Sequence, residues 1–287
     1  MKNFYHYCSK GFSSEIMFNS FQEFQAGMNR IAVCIALCIQ NGRNIKILAF
    51  CLMDNHFHFI LYGEEADCDL FVATYKKLTA MWVTKYRGAK LSESIDIGHW
   101  FVSPQKLGEK IVYVLRNPVA AGLRVTPQGY RWSSAQLMFS DWKPLAGKTI
   151  SEMGLREMRR MLNSNVILPQ EWIISEDQIW AGSYVDVPMA ERAFRSVGSF
   201  MFDLNNSNID KETNEEMMAD SYSLPDSEIR IKAVEHSIAY YRKDRISLCS
   251  PGERLAIARI LHKDLGCNAK QLARVLHLNP EELNLLV

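Results

Sequence analysis

The sequence predicts an α+β fold, an antiparallel sheet with helices on one face, followed by an α-helical C-terminal region. Three observations predict it. Strand-like and helix-like runs alternate through the first half, strand-like runs thin out after about residue 150, and a polar acidic stretch, Asp203 to Pro225, interrupts the helix-forming remainder. With 287 residues, 48% hydrophobic and 11% aromatic, the chain can bury one large core or two ordinary ones.

Tyr5 to Ser9 reads as a short strand stopped by Lys10-Gly11. Phe21 to Gln40 carries apolar residues at helical spacing (Phe21, Phe24, Met28, Ile31, Ala32, Ala36) and stops at Asn41-Gly42. Ile45 to Met53 and His56 to Tyr62 are apolar strands. Asp54-Asn55 between them suits a hairpin turn, with a continuous bulged strand as the alternative. Asp67 to Arg87 is a long helix and Ile95 to Ser103 a strand. Pro104 to Arg116 is a helix expected to end at Asn117-Pro118, because proline disfavours helical geometry in the residue before it. Ser133 to Phe139 reads as a short helix. The resulting order, β-α-β-β-α-β-α, is that of a ferredoxin-like sheet. Beyond it, helices are expected over Ser151–Asn163, Met189–Val197, Glu228–Lys243, Pro251–Leu265, Asn268–Leu276 and Pro280–Leu286. The expected domains are therefore 1–148 and 149–287, with Asp203–Pro225 as a flexible connection.

Charge divides along the same line. Residues 1–150 hold 17 Lys and Arg against 11 Asp and Glu, a net of +6, whereas the rest carry a net of −5. That permits nucleic-acid binding by the first half without demanding it. No apolar run is long enough for a membrane span and no secretory leader is visible. Seven scattered cysteines without a C-x-x-C pair point to reduced, buried thiols in a cytoplasmic protein.

The residues that carry chemistry fall in two places. In His56-Phe57-His58, positions i and i+2 of a strand project to one face, so two imidazoles could share a divalent cation; an incidental pair of histidines is the alternative. Tyr113 and Asn117 share a helix face at i and i+4. A tyrosine hydroxyl can attack a metal-polarised phosphodiester, and an asparagine carbonyl one turn away could complete the metal shell.

Taken together the two places resemble a known family. Ala49 to Leu61, with His56-Phe57-His58 at its centre, closely resembles the His-hydrophobic-His strand of the single-tyrosine HUH transposases. Tyr113-Val114-Leu115-Arg116-Asn117-Pro118-Val119-Ala120-Ala121-Gly122-Leu123 resembles their second motif, and Tyr130-Arg131-Trp132-Ser133-Ser134 their closing Tyr-x-Trp-Ser-Ser element. The REP-associated tyrosine transposases and related insertion-sequence transposases are the group resembled, over residues 4–140. The resemblance implies a catalytic domain over 1–148 and cleavage and strand transfer of single-stranded DNA through a 5′-phosphotyrosine intermediate. Tyr113 would be the nucleophile, and His56, His58 and Asn117 would hold Mg²⁺ or Mn²⁺, weakly because imidazole is not a usual magnesium ligand. It further implies single-stranded or hairpin DNA as partner, a homodimer as the assembly to test, and a cytoplasmic, nucleoid-associated location. The alternative is a domesticated protein that binds such DNA without transposing. The chain departs from the pattern before the tyrosine helix, where Gly98-His99-Trp100-Phe101 stands in place of a Trp-Gln-x-Arg-Phe-like stretch.

Rival and accessory residues complete the reading. Tyr75 and Tyr86 compete with Tyr113 as nucleophile, Tyr75 the more strongly. Lys76, Lys77, Lys85 and Arg87, with Lys90, form a basic stretch that either tracks a phosphate backbone or is a solvated helix face, and Arg116 and Arg124 flank the site as phosphate-binding candidates. Residues 250–287 resemble a helix-turn-helix module, although Pro280-Glu281-Glu282 would turn carboxylates toward phosphate; plain packing is the alternative.

Overall fold

The computed structural model describes residues 1–9, 17–88, 95–120, 126–144, 146–206, 226–265 and 269–278. The described residues fall into two compact units, one running to Asn206 and the other from Asp226.

The first unit is built on four antiparallel strands, β1 (Lys2–Ser9), β2 (Lys46–Leu52), β3 (Phe57–Glu64) and β4 (Ile97–Val102), in the order β2-β3-β1-β4. With α1 (Phe21–Gln40) between β1 and β2, and α2 (Glu65–Arg87) between β3 and β4, this is the ferredoxin-like arrangement expected from the element order. Alternation decides which side chains meet the helices. Tyr5 and Tyr7 of β1 and Phe57 and Phe59 of β3 join one core with Phe71 and Tyr75 of α2 and with Met28, Ile31 and Ile35 of α1. His6 and His58 project from the opposite face, where α3 (Leu107–Ala120) lies, since its Tyr113 meets both rings. The expected pair of helices thus covers one face, and the third helix covers the other.

Helix α3 runs four residues past its expected end. Pro118 lies inside its last turn, so the helix continues there without the hydrogen bond that an N–H at this position would give to the carbonyl four residues back. The expected helix Ser133–Phe139 is a single 3-10 turn, Ala135–Leu137, because this backbone is used to cover the open edge of β2. Leu52 N–H donates to Trp132 O (2.9 Å), Ser134 N–H to Phe50 O (3.1 Å) and the Tyr130 hydroxyl to Leu52 O (2.8 Å). Farther along that edge, Asp186 N–H donates to Ile47 O (2.8 Å). An edge protected in this way offers no template for another strand.

The compact unit also extends past the expected boundary at 148. A second, three-stranded sheet of β5 (Lys148–Thr149), β6 (Ile173–Ser175) and β7 (Gln178–Ile179) was not expected; β6 and β7 fall between the helices expected over Ser151–Asn163 and Met189–Val197. It and α4 (Leu155–Leu162) pack on the outer side of α1. Asn29 bridges by donating to Asp177 O and accepting from Ile179 N–H, both at 2.9 Å, and Arg30 donates to Leu162 O. The physical cause is readable in α1, whose run Ile31 to Ala36 is buried without interruption; a helix apolar all round must be covered on both sides. The helix expected over Met189–Val197 is divided into α5 (Val187–Glu191), capped by Asp186, and α6 (Val197–Asn206).

The second unit contains α7 (Asp226–Tyr241), α8 (Pro251–Leu265) and α9 (Ala269–Leu276) around Ile229, Ala233, Ile257, Leu261, Leu272 and Leu276. Ser250 and Glu253 cap α8 reciprocally. The expected helix Pro280–Leu286, and with it the candidate recognition element, lies outside the described residues, as do residues 207–225 of the expected connection.

The N-terminus of α1 is fastened to the C-terminus of α2 by Arg87, whose guanidinium donates to both Glu23 oxygens (2.7 and 2.8 Å) and to Met17 O (3.2 Å). Helix α2 then ends at Gly88, whose φ of 72° suits a residue without Cβ. Burial opposes ionisation of Glu23, but the Arg87 contact and the Asn19 and Ser20 backbone donors outweigh it and hold the carboxyl below its ordinary value of 4.5. This stabilisation is present above that value and is lost as pH falls through the folded-state value. Arg87→Ala should therefore cost about 3 kcal/mol near neutrality, because it leaves the buried carboxylate uncompensated. Urea unfolding should show the gap between variant and wild type narrowing below pH ~4; a gap that does not change with pH would contradict the pairing.

Candidate active site

Three elements build the site. Strand β1 contributes His6, the β2–β3 turn and first residues of β3 contribute Asn55, His56 and His58, and α3 contributes Lys110, Tyr113 and Asn117. The central β1–β3 pairing sets Cys8 opposite His58 and His6 opposite Ile60, on the face away from α1 and α2.

His58 is 2% exposed and His6 is fully buried. Their rings lie nearly parallel, with His6 Nε2 and His58 Nδ1 3.0 Å apart. His56 belongs to the turn rather than the strand, so the two imidazoles of His-Phe-His do not stand in parallel. They meet edge to face, with centroids 4.9 Å apart. Tyr113 closes the cluster, its ring edge-on to His6 (5.7 Å) and His58 (5.6 Å). The Lys110 ammonium lies 5.1 Å from the Tyr113 ring centroid, within cation–π range. Because α3 continues through Asn117, the amide falls on the face of Tyr113, with Oδ1 3.2 Å from His56 Nε2.

The hydrogen bonds select ring nitrogens. Asn55 Oδ1, an acceptor, lies 2.7 Å from His56 Nδ1, so this nitrogen carries the proton when the ring is neutral. His56 Nε2 then presents a lone pair to another acceptor, Asn117 Oδ1. Two acceptors facing each other at 3.2 Å suit a shared cation: ligands about 2.1 Å from an octahedral metal lie roughly 3 Å apart. Among the described residues no group of three or more His, Cys, Asp or Glu is arranged to hold a metal ion. The pair His56 and His58 therefore reaches three protein donors through the Asn117 amide. These three side chains are the ones that could hold a divalent cation.

Burial first, then the neighbouring His56, His6 and Lys110, push His58 well below its ordinary value of 6.5, against the contribution of Asn117. The ring is consequently neutral near pH 7, the form that ligates metal.

The other candidates are distributed differently. Tyr75 is fully buried on the opposite face, edge-on to Phe57 and Phe59, and burial raises its hydroxyl far above the ordinary range. Tyr86 is exposed and stacks on Trp82 near the end of α2. Lys76, Lys77, Lys85 and Arg87 ride on α2, across the sheet from the histidines. There Lys85 reaches Asn163 Oδ1 (3.3 Å) and Arg87 is committed to Glu23. Arg116 is turned to α6, where it donates to Leu204 O. Arg124 lies outside the described residues. His6, Asn55 and Lys110 were not singled out from the sequence. The alternation Tyr5-His6-Tyr7 was the available signal for His6, a polar residue on the opposite face of a strand whose tyrosines go inward.

No family model matches the chain and no curated protein matches it. Among solved structures it is similar to a REP-associated tyrosine transposase bound to a REP hairpin, at 12% identity and a TM-score of 0.34, over 63% of this chain and 90% of that one.

The burial of His58 yields a prediction. In metal-free protein, the His58 ring resonances should show no protonation as pH falls through about 6.5. The unfolded chain takes up that proton and the folded chain does not. Folding stability should therefore decline below this pH by up to about 1.4 kcal/mol per unit from this group. Titration of His58 at the ordinary imidazole value would overturn the assignment.

Proposed function

We propose that the chain cleaves and rejoins single-stranded or hairpin DNA through Tyr113, in a reaction that uses Mg²⁺ or Mn²⁺. The observation that carries this reading is the convergence, from the β2–β3 turn with β3 and from α3, of a tyrosine, two histidines and an amide oxygen in one cluster. A divalent cation on His56, His58 and Asn117 would polarise a non-bridging phosphate oxygen and stabilise the charge that develops there. Tyr113 Oη attacks phosphorus and forms the Tyr–O–P bond. The P–O bond to the 3′ oxygen breaks and that oxygen takes up the proton given up by Tyr113 Oη, leaving a 3′-hydroxyl and a 5′-phosphotyrosine; attack by another 3′-hydroxyl, whose proton returns to Tyr113 Oη, reverses the step. The Lys110 ammonium, 5.1 Å from the Tyr113 ring centroid, would add positive charge where the phosphate must come. Asn55 holds His56 in the tautomer whose Nε2 is the ligand atom.

A second reading, hairpin binding without cleavage, is favoured by one observation. Tyr113 is 7% exposed and His58 2%, so a phosphate has little direct access to either side chain.

Two experiments test these readings. With labelled hairpin or single-stranded DNA and Mn²⁺, a denaturing gel should show a covalent protein–DNA adduct that disappears with Tyr113→Phe and with EDTA. Persistence in Tyr113→Phe would assign the nucleophile elsewhere, and hairpin binding without any adduct would establish the second reading. Separately, Mn²⁺ affinity followed by electron paramagnetic resonance should fall about 10- to 100-fold in Asn55→Ala while remaining unchanged in Tyr113→Phe. Equal affinities in wild type and Asn55→Ala would remove His56 from the ligand set.

A further inference from the structure

Strand β4 differs from the other strands of its sheet. It lies at the edge, and three consecutive residues, His99, Trp100 and Phe101, are exposed. His99 and Phe101 point to the α2 side, where His99 stacks on Tyr7 (5.2 Å) and Phe101 meets Tyr5 edge-on (6.4 Å). Trp100 points to the other side. It pairs across the ladder with His6, and its ring lies 5.6 Å from that of His6 at a shallow 31°. His6 in turn contacts Tyr113, so the indole is one ring removed from the proposed nucleophile.

The pose of the indole is made by a glycine. Gly98 precedes Trp100 by two residues on the same face, and a Cβ added there would lie 2.8 Å from the far end of the indole. The ring therefore lies along the strand, over the bare backbone of Gly98 and beside His6, instead of standing away from the sheet. One side of the ring is supported while the residue remains 44% exposed. An aromatic held in this way at the margin of a polar cluster is a poor use of apolar surface for folding and a good one for stacking. Every nucleobase has a π face, so a supported indole accepts any of them when the strand is unpaired. A base within a duplex offers no free face.

We propose that Trp100 is a stacking platform for an unpaired DNA base next to the phosphodiester presented to Tyr113. It would set the position of the strand, making Trp100 a positioning residue. The inference rests on the reading of this site as one for single-stranded DNA, but does not require that cleavage occur. The supporting ring, the cradle at Gly98 and the proximity to Tyr113 are independent of any metal.

The test uses the full chain and a fluorescein-labelled single-stranded oligonucleotide of mixed sequence, with its duplex as comparison. Anisotropy in EDTA measures binding without cleavage, and the Mn²⁺ gel assay measures the adduct on the same samples. Trp100→Ala should weaken single-strand binding roughly 5- to 100-fold, the range expected from losing one stacked base, and leave duplex binding unchanged. Trp100→Phe should restore most of the affinity, and Gly98→Val, which displaces the indole without removing it, should behave like Trp100→Ala. Near-ultraviolet circular dichroism checks that each variant is folded. If wild type binds single strands with this Trp100 dependence but forms no adduct, the platform stands and the cleavage reading falls. If Trp100→Ala binds single strands as wild type does, the platform is overturned whether or not an adduct forms. Failure of folded wild-type protein to prefer single strands to duplex overturns it also.

Discussion

The constraint on which the structure depends is the two-residue alternation of the central strands, β1 and β3. Tyr5, Tyr7, Phe57 and Phe59 must enter the core under α1 and α2, so His6 and His58 must leave it on the other side. A slip of one residue in either strand would bury imidazoles among phenylalanines and expose the core to water. The aromatic residues therefore hold the histidines in register, and the site inherits its precision from packing on a face it does not occupy. Helix α3 completes the arrangement by placing Tyr113 against both rings.

Enclosure gives the site its chemistry as well as its geometry. His58 loses nearly all contact with water and is surrounded by groups that disfavour its positive form, so it remains a neutral donor. His56, in the turn, is less buried and takes its proton position from Asn55. The same enclosure opposes access to His58 and Tyr113, whereas Trp100 is exposed at the margin and His56, Lys110 and Asn117 keep partial exposure. Selection of the strand at that margin and reaction at the buried cluster would then fall to different residues.

Support for the site reaches well beyond it. The outer edge of β2 is occupied by residues 130–134 and by Asp186, and the outer side of α1 by the small sheet and α4. The Tyr-x-Trp-Ser-Ser element owes its position to this role: the Tyr130 hydroxyl and the Ser134 hydroxyl and amide bind the β2 backbone directly, beside the strand opposite His58. Arg87 illustrates the same economy. It reads in the sequence as one of several exposed cations, but it satisfies a buried glutamate and fastens two helices.

By itself the sequence determined the ferredoxin-like order of strands and helices, because hydrophobic period and turn chemistry are local properties. It also placed Tyr113 and Asn117 on one helix face, since i, i+4 follows from backbone geometry alone, whereas the i, i+2 strand pairing expected of His56 and His58 gives way to an edge-to-face contact because His56 lies in the turn. Tertiary structure decided the rest. His6 joins the histidine pair through a hydrogen bond spanning 52 residues, and no local pattern marks its partner. Lys76 and Lys77 share a domain with the site but lie across the sheet from it, because the fold, not the charge, chooses the face. Residues 149–206 pack with the first unit despite their change of texture, since a helix as apolar as α1 requires cover wherever in the chain it is found. The two rival tyrosines, Tyr113 and Tyr75, are separated by the same kind of constraint. Both belong to amphipathic helices, and the side of the sheet on which each helix packs places one beside the imidazoles and the other in the core.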